Sequence, residues 1–192
     1  FFAHTPGLKV IPPATPYDAK GLLKSAIRDN DPVIFLEHKR TYRLVKGEVP
    51  DAEYTLPIGK ADIKRIGSDI SVITYGLMVH HCIEAATELE SEGIDVEILD
   101  LRTIRPLDTE AIINTSKKTG KILIVHEDNK TLGVGSEVSA IISESAFEYL
   151  DAPIARLAGP EVPAMPFSPP LENQYMVNTK KIVESLKQLS RY

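Results

Sequence analysis

The sequence predicts an α/β fold, a mostly parallel sheet with helices on both of its faces. The main observation is that apolar, strand-like runs alternate four times with amphipathic, helix-like segments between residues 66 and 192. Because the connections are long enough to hold helices, the strands are expected to run parallel. A second observation is that Gly93 and Gly120 follow two helical segments, where a glycine commonly ends a helix. Residues 66–192 are therefore expected to form one domain.

Each element of this domain has its own pattern. Short apolar runs predict strands, and apolar residues at intervals of three and four predict helices. Asp108 is a candidate N-cap, and a proline-rich loop at residues 160–170 precedes the last helix. The expected strands are residues 70–75, 96–101, 121–125 and 154–157, and the expected helices are residues 79–92, 108–118, 136–149 and 179–189.

The first 37 residues predict only a strand, a helix and a second strand. Residues 8–11 and 33–36 are apolar runs, and the helix between them begins with Thr15 as N-cap and Pro16 as its first residue. Such a short segment buries too little apolar surface for its own core, so we expect it to need a partner. Residues 38–65 show no sustained period and predict a connection between domains.

Composition and charge exclude several classes of function. Acidic residues outnumber basic ones, 27 to 22, and the net charge of −5 argues against nucleic-acid binding. No run approaches the roughly 20 apolar residues that a membrane-spanning helix requires. Cys82 is the only cysteine, so an internal disulfide is impossible and a reducing compartment fits the sequence. The chain starts at Phe1 without a methionine or a signal-peptide pattern, so we expect further residues upstream.

A glycine-rich turn lies between a predicted strand and a predicted helix. Gly133 and Gly135 could expose backbone N–H groups that hold an anion at the start of the helix. Val138 occupies the position where a dinucleotide-binding motif has its third glycine, so that motif is incomplete. The alternative, which the sequence favours, is that the glycines permit a tight turn and close helix packing.

Two arginines follow the strand predicted at residues 96–101. Arg102 and Arg105 could bind phosphate, because ligands often bind at the carboxyl ends of parallel strands. They could equally pair with Asp100 and Asp108 in a structural network or an interface, and this second interpretation is favoured.

The five histidines do not have the spacing of a zinc site, and the neighbours His80 and His81 point to different faces of a helix. His126 and Glu127 end a predicted strand and could act as an acid–base pair. A surface hydrogen bond is the favoured alternative, because no third residue supports catalysis there.

Four blocks of the sequence carry a resemblance to a known family. They are residues 1–10, 18–29, 100–108 and 151–153, in the same order along the whole chain. Together they closely resemble the β subunits of pyruvate and branched-chain 2-oxo acid dehydrogenases, which depend on thiamine diphosphate. The resemblance implies the end of a pyrimidine-binding domain at residues 1–43, an interdomain linker at 44–65 and a transketolase-like carboxyl-terminal domain at 66–192.

The resemblance also implies an activity, the oxidative decarboxylation of a 2-oxo acid with acyl transfer to lipoyl groups. In that family the β subunit forms a heterotetramer with α subunits and a second β subunit. Thiamine diphosphate with magnesium is expected to be held by the complete enzyme and not by this segment, because the family's catalytic glutamate and histidine lie upstream of Phe1. We therefore expect no catalytic or cofactor-binding residue in this chain, and His4 is not given that role. Its expected contribution is subunit assembly and partner docking.

One binding site of the family does match positions in this chain. It is a monovalent-cation site, for potassium, formed by the main-chain carbonyls of Ala26, Ile27, Asp29 and Asp31. A helix that ends near Asp29 leaves carbonyl oxygens without helical partners, and hard cations bind such oxygens. The alternative is an ordinary helix end whose carbonyls are capped by water, and relatives often have Asn at position 31.

A second family site is the surface that docks the subunit-binding domain of the lipoyl acyltransferase. Asp151 and the terminal carboxylate of Tyr192 match this surface. An acidic patch would attract a basic partner.

Other assignments stay open. A transketolase or deoxyxylulose-phosphate synthase carboxyl-terminal domain would share the fold and the turn at residues 106–108, but residues 19–29 and the ending at Tyr192 favour the dehydrogenase. A non-catalytic nucleotide- or flavin-binding electron-transfer module is the alternative of another class. The substrate is open among pyruvate, branched-chain 2-oxo acids and acetoin-type compounds. A bacterial cytoplasm is the favoured location, and the mitochondrial matrix is the alternative.

Overall fold

A computed structural model describes residues 1–192 and divides them into two compact units. The first unit contains residues 1–62, 75–77 and 100–108, and the second contains residues 63–74, 78–99 and 109–192. The first unit thus includes two short segments that follow strands of the second. The domain boundaries expected at residues 43 and 65 stay a prediction.

The first unit contains the expected strand, helix and strand. Its β1 and β2 pair in parallel, with Lys9 opposite Val33. The helix α1 starts as the sequence predicts, because the Thr15 hydroxyl accepts a hydrogen bond of 3.1 Å from the Asp18 N–H and Pro16 is the first helical residue. The elements are a 3-10 turn at Phe2–His4, β1 at Lys9–Ile11, α1 at Pro16–Arg28, β2 at Val33–Phe35 and a short α2 at Thr41–Leu44.

Part of the region without a sequence period packs along α1. Gly21 has no side chain to keep Leu56 away, and a Cβ at this position would lie 2.6 Å from the Leu56 Cγ atom. The Leu56 N–H donates to the Gly21 carbonyl at 3.2 Å, and the Ser25 hydroxyl donates to the Leu56 carbonyl at 2.5 Å. The rings of Tyr17 and Tyr54 stack with their centroids 4.7 Å apart. Residues 54–56 are therefore a covering layer of the first unit.

The second unit is built on a five-stranded sheet with the order β3-β5-β4-β6-β7. The pairs β4–β6 and β6–β7 are parallel, as expected. All four predicted strands are present, and the α/β fold class is confirmed. The strands are β3 at Asp62–Arg65, β4 at Ile70–Thr74, β5 at Val96–Asp100, β6 at Ile122–Asn129 and β7 at Ala155–Gly159; the helices are α3 at Met78–Glu90, α4 at Thr109–Thr119, α5 at Val134–Ser145, α6 at Pro169–Tyr175 and α7 at Thr179–Leu189.

The central strands are buried along their whole length. Every residue of β4 and β5 is buried, which is what continuous apolar runs predict for strands covered on both faces. These strands also contain buried polar residues, and one of them is Glu97, whose side chain is fully buried in β5. Its carboxylate accepts a hydrogen bond from the Thr115 hydroxyl and pairs with the Lys118 ammonium. A buried charge without such partners would be strongly destabilising, so α4 must supply them.

Three elements around the sheet of the second unit differ from the sequence prediction. The strand β3 lies in the region that shows no period, because its Asp-Ile-Lys-Arg sequence is that of a charged, half-exposed edge strand. The helix predicted at 136–149 ends at Ser145 and is followed by a 3-10 turn at Phe147–Tyr149. The short α6 lies in the proline-rich region, where Pro169 is tolerated in the first turn. None of the helices combines the length and apolar character that crossing a membrane requires.

Candidate functional site

The candidate cation site lies at the C-terminal end of α1. The helix ends at Arg28, and the capping residue Asp29 adopts an extended conformation. Its N–H donates to the Ala26 carbonyl at 3.3 Å, so that oxygen keeps one lone pair for another ligand. The Asp29 carboxylate accepts a hydrogen bond of 2.9 Å from the Asp31 N–H and so stabilises a tight turn. Carbonyls at a helix end surrounded by carboxylates suit a hard cation.

Lys9 of β1 contacts both carboxylates of this turn. Its ammonium lies 2.7 Å from each Asp29 carboxylate oxygen and 3.0 Å from Asp31 Oδ2. The Lys9 N–H also donates to the Pro32 carbonyl at 3.0 Å. Backbone and side chain of Lys9 therefore both hold the turn that follows α1.

The charges of this cluster stabilise each other. Its hydrogen bonds to Asp29 and then to Asp31 raise the pKa of Lys9 above its ordinary value. The same hydrogen bond from Lys9 is the main cause that lowers the pKa of Asp29. Both groups are therefore charged over the whole physiological range of pH.

A second ion cluster lies beside the first on α1. Lys24 and Arg28 both pair with Glu53, the Arg28 guanidinium at 2.7 Å. Hydrogen bonds from Lys24 and then Arg28 lower the pKa of Glu53 to about 2. An open cleft of about 560 Å³ runs along this helix end, lined by Lys9, Ser25, Arg28, Asp29, residues 55–58 and Pro106.

Arg102 does not present a free guanidinium to a phosphate. It lies between two carboxylates of the first unit, with Asp18 Oδ1 at 2.7 Å and Asp62 Oδ2 at 2.9 Å, and Asp18 is fully buried. Arg102 has a positive φ of 54°, and its N–H donates to the Asp100 carboxylate at 3.0 Å. Arg105 contacts β1 through its backbone, because its carbonyl accepts a hydrogen bond of 2.8 Å from the Val10 N–H. A structural role of the two arginines agrees with this geometry, but the carboxylates that the Arg102 guanidinium contacts are Asp18 and Asp62, where the sequence suggested Asp100 and Asp108.

His126 fills the space under the glycine-rich turn. The ring is buried, and a Cβ on Gly133 would lie 2.7 Å from its Cε1 atom while one on Gly135 would lie 2.7 Å from its Nε2 atom. The glycines therefore permit close packing, as the favoured interpretation of the sequence has it. Burial lowers the pKa of His126, and the neighbouring Asp128 opposes this effect. A neutral, enclosed ring is poorly placed to exchange protons with a substrate. The surface hydrogen bond that the sequence favoured for His126 is also wrong, because the ring is buried.

The two predicted docking residues are on the surface of the second unit. Asp151 is exposed, and its N–H donates to the Gly120 carbonyl at 2.8 Å, which fixes its position after α4. Tyr192 is 69% exposed at the end of α7. Lys117 lies 4.6 Å from the centroid of the Tyr149 ring in the same unit.

Two contacts of the candidate sites could not be read from the sequence. Lys9 is 20 residues from Asp29, and the partners of Arg102 come from α1 and from the start of β3. The sequence contains one weak signal for the contact between Lys9 and Asp29. Lys9 begins a strand that runs parallel to the strand after the acidic turn. In the whole chain, no group of three or more His, Cys, Asp and Glu side chains is placed to hold a metal ion.

Two family models match the chain. Residues 59–182 match the transketolase C-terminal domain, and residues 1–45 match the transketolase pyrimidine binding domain. A solved structure described as a split gene transketolase, an inactive β4 tetramer, superposes with a TM-score of 0.83 at 23% identity. The match covers 99% of this chain and 60% of that one. At this identity the likeness shows the fold.

The chain is more similar in sequence to three curated β subunits. The 2-oxoisovalerate dehydrogenase subunit beta of Bacillus subtilis is 59% identical over 191 residues, which is 100% of this chain and 58% of that protein. The pyruvate dehydrogenase E1 component subunit beta of the same species is 49% identical over 190 residues, 99% of this chain and 58% of the relative. The acetoin:2,6-dichlorophenolindophenol oxidoreductase subunit beta of Cupriavidus necator is 47% identical over 186 residues, 97% and 54% respectively. The chain thus spans somewhat more than half the length of these relatives.

The buried His126 makes the stability of the chain depend on pH. The unfolded histidine takes up a proton near its ordinary pKa of 6.5, whereas the folded one does so only at lower pH. The unfolded state therefore binds more protons below pH 6.5, and the free energy of unfolding falls as the pH is lowered. We expect His126→Gln to be less stable than the parent chain at pH 7.5. Between pH 7.5 and about 5, its free energy of unfolding, measured by urea unfolding, should fall less than that of the parent chain. His4→Gln, at an exposed histidine, is the control, and equal pH slopes in all three proteins would contradict the prediction.

Proposed function

The chain belongs to the transketolase family, and on this basis we propose that it forms part of the β subunit of the decarboxylating component of a 2-oxo acid dehydrogenase complex. The observation that carries the proposal is the 59% identity to a 2-oxoisovalerate dehydrogenase subunit beta along the whole chain. The transketolase structure, at 23% identity, shares the fold and gives no comparable support for a transketolase activity.

The proposed reaction of the whole protein is oxidative decarboxylation of a 2-oxo acid with acyl transfer to lipoyl groups. In the complete enzyme, thiamine diphosphate with magnesium supplies the electron sink that decarboxylation requires. The higher identity to the 2-oxoisovalerate enzyme, 59% against 49% for the pyruvate enzyme, favours a branched-chain substrate.

The contribution of this chain is assembly with an α subunit and a second β subunit. The first unit supports this proposal because it has only a two-stranded sheet, and all three residues of its β2 are half-exposed. Large apolar side chains are also exposed in quantity, and such surface is typical of interfaces. The most exposed are Phe1, Ile27, Tyr42, Leu44, Ile66, Leu132, Phe147, Phe167 and Tyr192.

The carbonyls of Ala26, Ile27, Asp29 and Asp31 form the proposed potassium site. The end of α1 directs its negative dipole toward this point, and the two carboxylates add to the negative potential. Oxygen ligands of this kind bind hard cations.

Asp151 and the Tyr192 carboxylate form the proposed docking surface for the subunit-binding domain of a lipoyl acyltransferase. Their exposure supports the proposal, since surface charges accelerate the association of oppositely charged partners. The bacterial origin of the curated relatives supports a location in the bacterial cytoplasm.

Reconstitution tests the proposed activity. A complete β subunit that contains this chain, mixed with its α partner, is expected to release carbon dioxide from 2-oxoisovalerate faster than from pyruvate. The chain by itself is expected neither to decarboxylate these acids nor to retain thiamine diphosphate, because it spans only 58% of the length of its dehydrogenase relative. Turnover by the chain alone, or activity of the reconstituted enzyme on sugar phosphates only, would show that the assignment is wrong.

Thallium in place of potassium tests the cation site. In crystals of the complete β subunit we expect an anomalous peak beside the carbonyls of residues 26, 27, 29 and 31, because thallium binds the same oxygens and scatters strongly. Crystals grown in lithium salts are the control. An empty site in the thallium crystals would remove this part of the proposal.

Charge reversal tests the docking surface. Asp151→Arg is expected to weaken binding of the subunit-binding domain about tenfold at low salt, mainly through the association rate, because a basic partner would be repelled. The backbone hydrogen bond of Asp151 to Gly120 does not depend on the side chain, so the fold should persist. Glu88→Arg, at an exposed acid on α3, makes the same charge change elsewhere. Binding rates that are unchanged in Asp151→Arg, measured by surface plasmon resonance, would exclude the residue.

A further inference from the structure

A short segment of the first unit carries an unbalanced positive charge. Residues 39–46, called the basic segment below, contain no acidic residue and four basic ones, Lys39, Arg40, Arg43 and Lys46. All four residues are exposed, and none of their charged groups forms an ion pair within the chain. The chain as a whole has a net charge of −5, so this positive charge is a local feature.

Basic residues elsewhere in the first unit have partners. The Lys9 ammonium contacts the Asp29 carboxylate at 2.7 Å. The Arg28 guanidinium contacts Glu53 at 2.7 Å, and Arg102 lies between two carboxylates. Because water solvates exposed cations well, unpaired charges mark a binding surface only where the surrounding structure also favours contact.

Hydrogen bonds fix the backbone of the basic segment. The Val45 N–H donates to the Thr41 carbonyl at 3.0 Å and closes α2, and the Thr41 hydroxyl donates to the His38 carbonyl at 2.7 Å. The Tyr42 hydroxyl donates to the Glu37 carboxylate at 2.7 Å, so the acid that precedes the segment is held by Tyr42 and not by a cation. A partner therefore meets charges on a backbone that is already ordered, which lowers the entropy lost on binding.

The basic segment also forms one wall of a mainly apolar cavity. The cavity has a volume of about 320 Å³, and Tyr42 and Val45 line it on the side of the segment. Residues 13–16 and Ala19, at the start of α1, form the opposite wall. Tyr42 and Leu44 are 65% and 64% exposed. The volume lies at the lower end of the range for ligand pockets, about 300–1,000 Å³, and is sufficient for one apolar side chain.

We propose that the basic segment and this cavity form a docking surface for a protein partner with an acidic surface, which inserts an apolar side chain into the cavity. Guanidinium groups bind carboxylates through paired hydrogen bonds, and Arg and Tyr are enriched in protein interfaces. The cations attract and orient the acidic partner, and the cavity supplies the dry contact that gives affinity. A nucleic acid fits less well, because the negative charge of the rest of the chain repels a polyphosphate.

This surface goes beyond the proposed function. It lies in the first unit and is positive, whereas the proposed surface at Asp151 and Tyr192 lies in the second unit and is negative. The inference does not depend on which reaction the complete protein catalyses, because it rests on charge, burial and shape alone.

Three short peptides with blocked ends test the chemistry of the partner. Their sequences are Glu-Glu-Leu-Glu-Glu, Gln-Gln-Leu-Gln-Gln and Glu-Glu-Gly-Glu-Glu, and binding is measured from the backbone amide shifts of the isotope-labelled full chain at low salt. The first peptide is expected to shift the signals of Thr41, Tyr42, Val45 and Ala19. The glutamine peptide should bind about tenfold more weakly because it lacks charge, and the glycine peptide about fivefold more weakly because it cannot fill the cavity.

A double variant with a matched control tests the basic segment. Lys39→Gln/Arg43→Gln is expected to weaken binding of the acidic leucine peptide about tenfold. Lys130→Gln/Lys180→Gln makes the same charge change at exposed lysines of the second unit and should change binding less than about twofold, because solvent and salt screen distant charges. If the first variant does not fold, the comparison of the three peptides on the parent chain still decides between the outcomes.

Four results would overturn the proposal. They are the absence of shifts at millimolar concentrations of the acidic leucine peptide, shifts confined to the second unit, equal binding by the two double variants, and equal binding of the three peptides. Tighter binding of a short oligothymidylate than of the acidic leucine peptide would show that the surface recognises phosphates, and the assignment of a protein partner would then be wrong.

Discussion

The buried ion pair between Asp18 and Arg102 is the constraint on which the first unit depends. Asp18 is completely buried in the first turn of α1, and the Arg102 guanidinium lies 2.7 Å from its carboxylate. Leaving such a charge without its partner typically costs about 3–5 kcal/mol. Arg102 also contacts Asp62, so one side chain fixes three segments that are far apart in the sequence. The packing of the start of α1 depends on this arrangement.

The helix α1 is fixed at both ends by charged groups. At its start the Thr15 hydroxyl caps the helix and contacts the Asp18 carboxylate at 2.6 Å. At its end the ammonium of Lys9 in β1 contacts the carboxylates of Asp29 and Asp31, so a strand outside the helix holds the turn that follows it. These contacts stabilise the turn at which the cation site is proposed. A binding site that is held in place before the ligand arrives loses little conformational entropy on binding.

The likeness in structure and the likeness in sequence support different conclusions about this chain. A transketolase structure shares the arrangement of nearly the whole chain at 23% identity, so the fold alone does not distinguish one thiamine enzyme from another. The identity of 59% to a dehydrogenase subunit is what favours one activity. The chain's own residues are suited to packing, ion pairing and partner contact. These features agree with the scaffold role proposed for the chain.

Local patterns in the sequence determined the α/β fold, the strand–helix–strand beginning and the caps of α1, because periodicity and capping act between residues a few positions apart. They also indicated the acidic turn at Asp29. The tertiary structure alone decided which charges meet there, since Lys9 is 20 residues from Asp29 and no local pattern joins them. It likewise decided the partners of Arg102 and the edge strand β3, which pairs through its backbone and lacks an apolar run. Contacts between distant residues depend on how the elements pack, and single-sequence patterns do not encode that packing.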